Sequence, residues 1–141
     1  MRKRIVLALV VMTAVAGLLL AQTENSRKVR EAVAPLYPPV AIQARLVGTT
    51  NVLVEIGDAG NVLTSVAQSG HPLFKAASLD AAKKWKFESG SGNAQATLTF
   101  NFTLDSNELQ NTIFKPPYTV EVHAKVPPET TTYTQPEKGK Q

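Results

Sequence analysis

The stretch AQATLTFNFTL, residues 94–104, decides the fold, because its side chains alternate strictly between apolar and polar. Apolar residues stand at every even position, and Gln, Thr or Asn stands at every odd position. A period of two predicts a β-strand with one face buried and the other face in water. A one-sided strand needs an apolar layer over it, so the stretch predicts a sheet with helices on one face.

Two further strands and a long helix are predicted upstream of this stretch. Residues 52–56 and 62–66 alternate in the same way around the turn cluster 57–61, which predicts a β-hairpin. Pro72 suits the first position of a helix, and residues 73–86 contain no Gly, Pro or β-branched residue. The hairpin and the helix therefore precede the deciding strand in the chain.

A short helix is predicted before the hairpin. Pro38 and Pro39 suit its first turn, and Gly48 suits a stop just beyond its end. The element order is then helix, strand, strand, helix, strand. This order, with one-sided strands, predicts a two-layer α+β domain: a three-stranded antiparallel sheet with two helices on one face.

Composition divides the chain into four parts. Residues 1–21 carry three basic residues, an apolar run and a small last residue, which predicts a signal peptide or a short signal-anchor through residues 5–21. Residues 22–32 are interpreted as a short linker. The predicted domain, residues 33–104, holds 34 apolar residues in 72, whereas the Pro-containing tail, residues 105–141, holds 9 in 37.

The basic charge of the chain belongs to its first part. The formal net charge is +4, but three of the 15 basic residues lie in the export signal, and 12 basic and 11 acidic residues remain. A near-neutral remainder gives no reason to expect a nucleic-acid partner. The absence of cysteine excludes disulfides and thiolate zinc sites. No Ser has a spaced base partner, so no enzyme activity and no cofactor are expected.

These elements carry motifs that resemble the TonB C-terminal domain family. The resemblance covers residues 33–104, and the matching residues follow the family in order and spacing. They are Tyr37-Pro38, Ala41, Arg45, Gly48, Asp58, Gly60, Val62, Ser69-Gly70-His71-Pro72-Leu73, Ala77 and Trp85-Lys86-Phe87. Among these matching residues, the following are expected to have structural roles: Tyr37, Pro38, Gly48, Asp58, Gly60, Gly70, Pro72, Trp85 and Phe87.

The resemblance implies a periplasmic, energy transducer-like domain that docks on TonB-dependent outer-membrane transporters. Family members bind a short receptor peptide, the Ton box, as an added strand along the sheet edge. An inner-membrane motor complex is an implied partner if the N-terminal segment stays uncleaved. The last strand is the implied receiving edge, with Arg45 as a further receptor contact. The implied edge residues are Gln95, Ala96, Thr97, Leu98, Thr99, Phe100 and Asn101.

Two alternatives to this partner edge stay open. Residues 94–104 contain no Lys, Pro or acid, and an undefended edge strand is either a partner site or an aggregation risk. In the first alternative the tail covers this edge, because residues 118–124 alternate and predict one extra strand. Pairing of that strand with the domain's own edge is favoured, and pairing with a neighbouring copy or disorder stays open. In the second, the chain is an assembly module that forms a homodimer through edge strands without energy transduction.

The stretch before the domain departs from an energy transducer. Residues 22–32 reach about 40 Å at full extension, which is too short to cross a periplasm from a membrane anchor. The apolar segment also lacks the His through which family transducers engage their motor. The departures concern energy transduction and leave strand-mediated binding as the expected function.

Overall fold

A computed structural model describes residues 26–107 and 110–129 of the chain. The predicted export segment lies outside these residues. Across the part of the chain that is described, no helix has the length and apolar character needed to cross a membrane. The elements are β1 (Val29–Glu31), α1 (Pro39–Gln43), β2 (Gly48–Ile56), β3 (Val62–Ser69), α2 (Pro72–Ala82), β4 (Lys86–Phe87), β5 (Ala94–Asp105), β6 (Asn111–Lys115) and β7 (Thr119–Lys125).

The main sheet has five strands in the order β3-β2-β5-β7-β6. The β2–β3 hairpin and the β2–β5 pair are antiparallel, with Val52 opposite Leu98. After β5 the chain skips the position next to β5 and forms β6 at the outer edge of the sheet. It then returns as β7, which fills the position between β5 and β6. This path makes β7 parallel to β5, with Phe102 opposite Val122, and antiparallel to β6.

The predicted α+β class with two layers is confirmed, but the prediction of three antiparallel strands is wrong in number and in direction. The sheet gains β6 and β7 from the tail, and one of its pairs is parallel. The alternation of residues 118–124 indicates a strand but carries no information about its neighbour or its direction. The low apolar content of the tail hides β6, which contributes two half-exposed apolar side chains, Ile113 and Phe114.

The core lies between the sheet and the helices, on the face formed by the even residues of β5. An aromatic cluster fills its centre: the rings of Phe74 on α2 and Phe102 on β5 stack at 4.3 Å. Tyr37 packs edge-on against both rings, at 5.6 and 5.4 Å. Such aromatic pairs add about 0.5–1.5 kcal/mol beyond the area that they bury. The predicted one-sided strand therefore has its apolar side chains in this core.

Helix α2 ends four residues earlier than the sequence predicts. Its first turn is capped by His71, whose Nδ1 accepts the N–H of Leu73 at 3.3 Å. After Ala82 the chain turns inward, so that the Trp85 ring is buried and its Nε1 donates to the carbonyl of Val33 at 2.8 Å. The next two residues form β4 instead of a last helical turn. Tertiary packing thus overrides good helix propensity here.

The turn between β2 and β3 is locked against β4. Gly60 has φ 86°, and a Cβ at this position would lie 2.0 Å from the carbonyl oxygen of Phe87. Its own carbonyl accepts the N–H of Phe87 at 2.8 Å. Only glycine allows this conformation and this approach together. Asp58 lies in the same turn, where its main-chain carbonyl accepts the N–H of Gly90 at 2.9 Å.

Residues on both sides of the predicted domain add to the folded unit. Upstream, β1 pairs with β4, and Arg27 is buried. Downstream, the side chains of Val120, Val122 and Ala124 on β7 are buried in the core. The domain limits themselves stay a prediction, and the packing at both ends extends well beyond residues 33–104.

Candidate functional site

The edge of β5 that was predicted to receive a partner strand is open along one half only. β7 pairs with β5 from Thr99 to Asp105. This corrects the prediction for Thr99, Phe100 and Asn101, because the chain's own strand already holds that stretch of edge. The arrangement is the one in which the tail covers the edge. Residues 94–98 have no strand beside them on that side within the described residues.

Main-chain groups of β5 alternate in direction along the strand. Thr99 donates its N–H to the carbonyl of Tyr118 at 2.9 Å, so the odd-numbered residues of β5 direct their main chain away from β2. Gln95 and Thr97 therefore present an N–H and a C=O each to the open half-edge. Ala96 and the residues of the same parity bond to β2 and turn their side chains into the core.

The open half-edge, residues 94–98, is short and uncharged. At about 3.4 Å per residue it accommodates an extended peptide of about five residues. The exposed side chains of Gln95 and Thr97 lie on the solvent face of the sheet. A strand placed here would bond to main-chain groups and would contact polar, neutral side chains. The site can therefore bind a peptide by main-chain hydrogen bonds without a complementary charge.

A largely apolar groove of about 490 Å³ lies beneath the turn that precedes β7. It runs between the chain around Arg27, the Trp85 ring and the turn of residues 114–119. Tyr118 joins the groove to the edge, because its carbonyl accepts from Thr99 and its hydroxyl donates to the carbonyl of Arg27 at 2.9 Å. Residues upstream of the predicted domain therefore form part of the surroundings of the site.

Arg45 lies at the opposite end of the sheet from the open half-edge. Its Nη1 lies 3.5 Å from a carboxylate oxygen of Glu129, beyond the end of β7. Gly48, three residues further on, pairs with Phe102, and Phe102 and Gln95 are seven positions apart on β5. That distance is about 24 Å along the strand. The structure therefore does not bring Arg45 together with the open half-edge.

The backbone of Arg45 is strained. It has φ 55° at the end of α1, where its N–H bonds to the carbonyl of Ile42 and the next N–H bonds to Ala41. These two bonds form a Schellman cap, whose left-handed position favours glycine. Arg45→Gly is expected to raise the free energy of unfolding by about 0.5–1 kcal/mol, measured by urea denaturation.

The control for this prediction is Gln43→Gly, which places glycine at the exposed last helical position of α1. This variant should lose about 1 kcal/mol. The contacts of Arg45 with Glu129 and the carbonyl of Pro127 are exposed, and exposed ion pairs contribute little. Equal destabilisation by both glycines would show that the left-handed geometry at Arg45 carries no strain.

A small charge cluster lies on the solvent face of β6 and β7. Lys115 Nζ donates to Glu121 Oε1 at 2.6 Å, and this hydrogen bond holds the pKa of the carboxyl below its usual range. His123 follows on the same face, with Nδ1 2.9 Å from Thr103 Oγ1 on β5 and Nε2 3.9 Å from Glu121. The contact with Thr103 joins β7 to β5 beside the main-chain ladder.

In the core, burial raises the pKa of Tyr37.

The structural residues named from the sequence lie at turns and in the core. Tyr37, Trp85 and Phe87 are buried, and the hydroxyl of Tyr37 donates to the carbonyl of Leu46. Gly70 has φ 115° and packs against Thr50 at the end of β3. Pro38 is the N-cap of α1, and Pro72 starts α2.

Sequence reasoning missed Arg27 and the turn around Tyr118. Arg27 stands among polar residues that resemble a linker, and nothing in that stretch indicates burial. For Tyr118, the alternation that begins there was a usable signal, but it did not reveal the groove.

The family model described as the C-terminal region of the Gram-negative bacterial TonB protein matches residues 33–104, just over half of the chain. Among solved structures, the chain is similar to the solution NMR structure of the Pseudomonas aeruginosa TonB CTD, with 27% sequence identity and a TM-score of 0.48. That similarity covers 62% of this chain and 95% of the other. No curated protein sequence matches the chain.

Proposed function

The chain belongs to the TonB C-terminal domain family, and from this premise we propose that it docks on TonB-dependent outer-membrane transporters by β-strand addition at residues 94–98. The family is transport-related and implies a periplasmic location. Export by residues 1–21 is part of the same proposal, as is a role in binding rather than catalysis. A motor-complex partner would apply only to a chain that keeps its N-terminal segment.

One observation carries the proposal. The N–H and C=O groups of Gln95 and Thr97 point away from β2 into a stretch of edge that β7 leaves open among the described residues. An extended receptor peptide can satisfy these groups, as in other cases of strand addition. The short length of the open half-edge predicts a weak complex, which suits a partner that must bind and release.

Thr97→Pro is expected to weaken the binding of a synthetic Ton-box peptide by about tenfold or more. The substitution removes the N–H that faces the partner and puts the proline ring in the path of the added strand. Proline is tolerated at an open edge, so the sheet should stay folded. The measurement is an NMR titration of the exported chain, that is, the chain without residues 1–21. The titration follows the amide resonances of residues 94–98.

The matched control is Thr97→Ala, which keeps the main-chain N–H and removes the exposed side chain. This variant should bind within about twofold of the natural chain. If the Thr97→Pro variant bound the peptide as tightly as the natural chain, the open half-edge would be ruled out as the site. Peptide-induced shifts at residues 99–105, with loss of protection in β7, would instead show that the receptor strand replaces β7.

A further inference from the structure

The strand at the other side of the sheet, β3, has an outer edge that no other described strand covers. Residues 62–69, VLTSVAQS, contain no charge and no proline. Two of their aliphatic side chains, Leu63 and Val66, are 56% and 59% exposed. Natural sheets normally protect such an edge with lysine, proline, a bulge or a covering segment. β3 has a bulge near each end, and between the bulges residues 64–67 have no lysine, no proline and no segment over them among the described residues.

The main-chain directions on β3 follow from those on β2. Even residues of β2 bond to β5, so Leu53 and Glu55 bond to β3, opposite Val66 and Thr64. Ser65, between those two, and Ala67 therefore direct their N–H and C=O groups outward. No main-chain hydrogen bond from another described residue reaches these groups.

The other outer edge of the sheet, formed by β6, is protected. Strand β6 has only five residues, and it ends at Lys115 before Pro116 and Pro117. A charge and two prolines at an edge discourage pairing with another chain. The two outer edges of the sheet therefore differ, and β3 is the one that is built to accept a strand.

We propose that two copies of this chain join through their β3 edges, antiparallel and related by a two-fold axis at Val66. Ser65 would then exchange hydrogen bonds with Ala67 of the partner subunit, and Ala67 would do so with Ser65 of the partner subunit. This pattern makes four main-chain hydrogen bonds in total. The two Val66 side chains would meet across the axis on the solvent face of the sheet, beside Leu53.

A second copy fits this edge because the edge is complementary to itself. Across a two-fold axis at Val66 this residue meets its own copy, and its neighbours meet residues close to their own copies, so a charge at or beside the axis would lie near the same charge. Residues 62–69 carry none, and the spacing of Ser65 and Ala67 about Val66 is symmetric. The contact uses a different edge from residues 94–98, so dimer formation and receptor binding are independent and separately testable.

A cysteine cross-link tests the register of this contact. The natural chain has no cysteine, so Val66→Cys introduces a single thiol at an exposed position. Directly opposite residues in such a pair have Cβ atoms about 4.5–5.5 Å apart, within reach of a disulfide after a small adjustment. Mild oxidation of the exported chain should convert most of the Val66→Cys variant to a covalent dimer.

The matched control is Thr64→Cys, which lies on the same face and is also exposed. In the proposed register the two Thr64 positions lie on the order of 13 Å apart, too far for a disulfide. Equal cross-linking of the two variants, or none with Val66→Cys, would overturn the proposal.

Sedimentation equilibrium tests the contact without a new covalent bond. Val66→Lys places two like charges opposite each other and should weaken the dimer by about tenfold or more, whereas Val66→Thr should not. Because Val66 is exposed, neither change should disturb the fold. A natural chain that stays monomeric up to about 1 mM, or a dimer unaffected by Val66→Lys, would overturn the proposal. Thr97→Pro should leave the dimer intact.

Discussion

Truncation of the chain after Asn107 is expected to lower the free energy of unfolding by at least about 3 kcal/mol, because it removes buried core residues from the sheet. Val120 and Val122 are 0% and 2% exposed, and burying one such side chain contributes about 1.5–3 kcal/mol. The loss also bares the β5 edge from Thr99 onward. Since small domains have only about 5–15 kcal/mol of stability, this loss is a large part of the total, and the truncated chain should unfold at a much lower urea concentration than the natural chain. Circular dichroism during urea denaturation measures the loss.

Point substitutions distinguish lost packing from a general effect of shortening the chain. Val120→Ala should cost about 2–3 kcal/mol, since it removes two buried methyl groups and leaves a cavity. Ile113→Ala on β6, where the side chain is 41% exposed, should cost less than about 1 kcal/mol. If the truncated chain unfolded at the same urea concentration as the natural chain, β7 would add nothing to the stability of the core.

The position of β7 also determines where a partner can bind. A strand held by two buried valines, a parallel ladder and the Thr103–His123 contact is costly to displace. A peptide that had to displace β7 would lose at least about 3 kcal/mol of its binding free energy, which weakens Kd by roughly a hundredfold or more. The proposed site therefore lies at residues 94–98 and not along the whole of β5.

The sequence predicts most of the sheet but not its full extent. The strict alternation of residues 94–104 determines both the strand and its buried face, and the one-sided pattern implies the covering helices. Alternation at residues 118–124 likewise indicates a strand. It cannot show that this strand runs parallel to β5, because side-chain period does not encode the identity of the neighbouring strand. The candidate site changed for that reason from a whole edge to its first half.

The β3 edge shows a second kind of limit. Its lack of charge is plain in the sequence, yet both hairpin strands show the same alternation, and the pattern does not tell which of them lies at the edge of the sheet. Only the order β3-β2-β5-β7-β6 shows that β3 has one neighbour and β2 has two. Edge and centre are properties of topology, which local pattern does not determine.

Arg27→Met is expected to lower the free energy of unfolding by about 3 kcal/mol, because the guanidinium supports two loops at once. Its side chain is 7% exposed, and its Nη1 donates to the carbonyl of Gly57 at 2.6 Å while its Nη2 donates to the carbonyl of Gly92. Each hydrogen bond to a charged group contributes about 1.5–3 kcal/mol, and methionine keeps much of the apolar stem without the donors. Urea denaturation of the exported chain measures the loss.

Two controls show whether the fork of donors or only the positive charge matters. Arg27→Lys keeps the charge but cannot reach both carbonyls in the planar geometry of a guanidinium, so it should recover less than half of the loss. Arg30→Ala removes a nearby exposed cation and should change stability by less than about 0.5 kcal/mol. Full recovery with lysine would show that charge alone stabilises this corner. An Arg27→Met variant as stable as the natural chain would mean that water replaces both hydrogen bonds, and that the residues upstream of the predicted domain contribute no stability through this side chain.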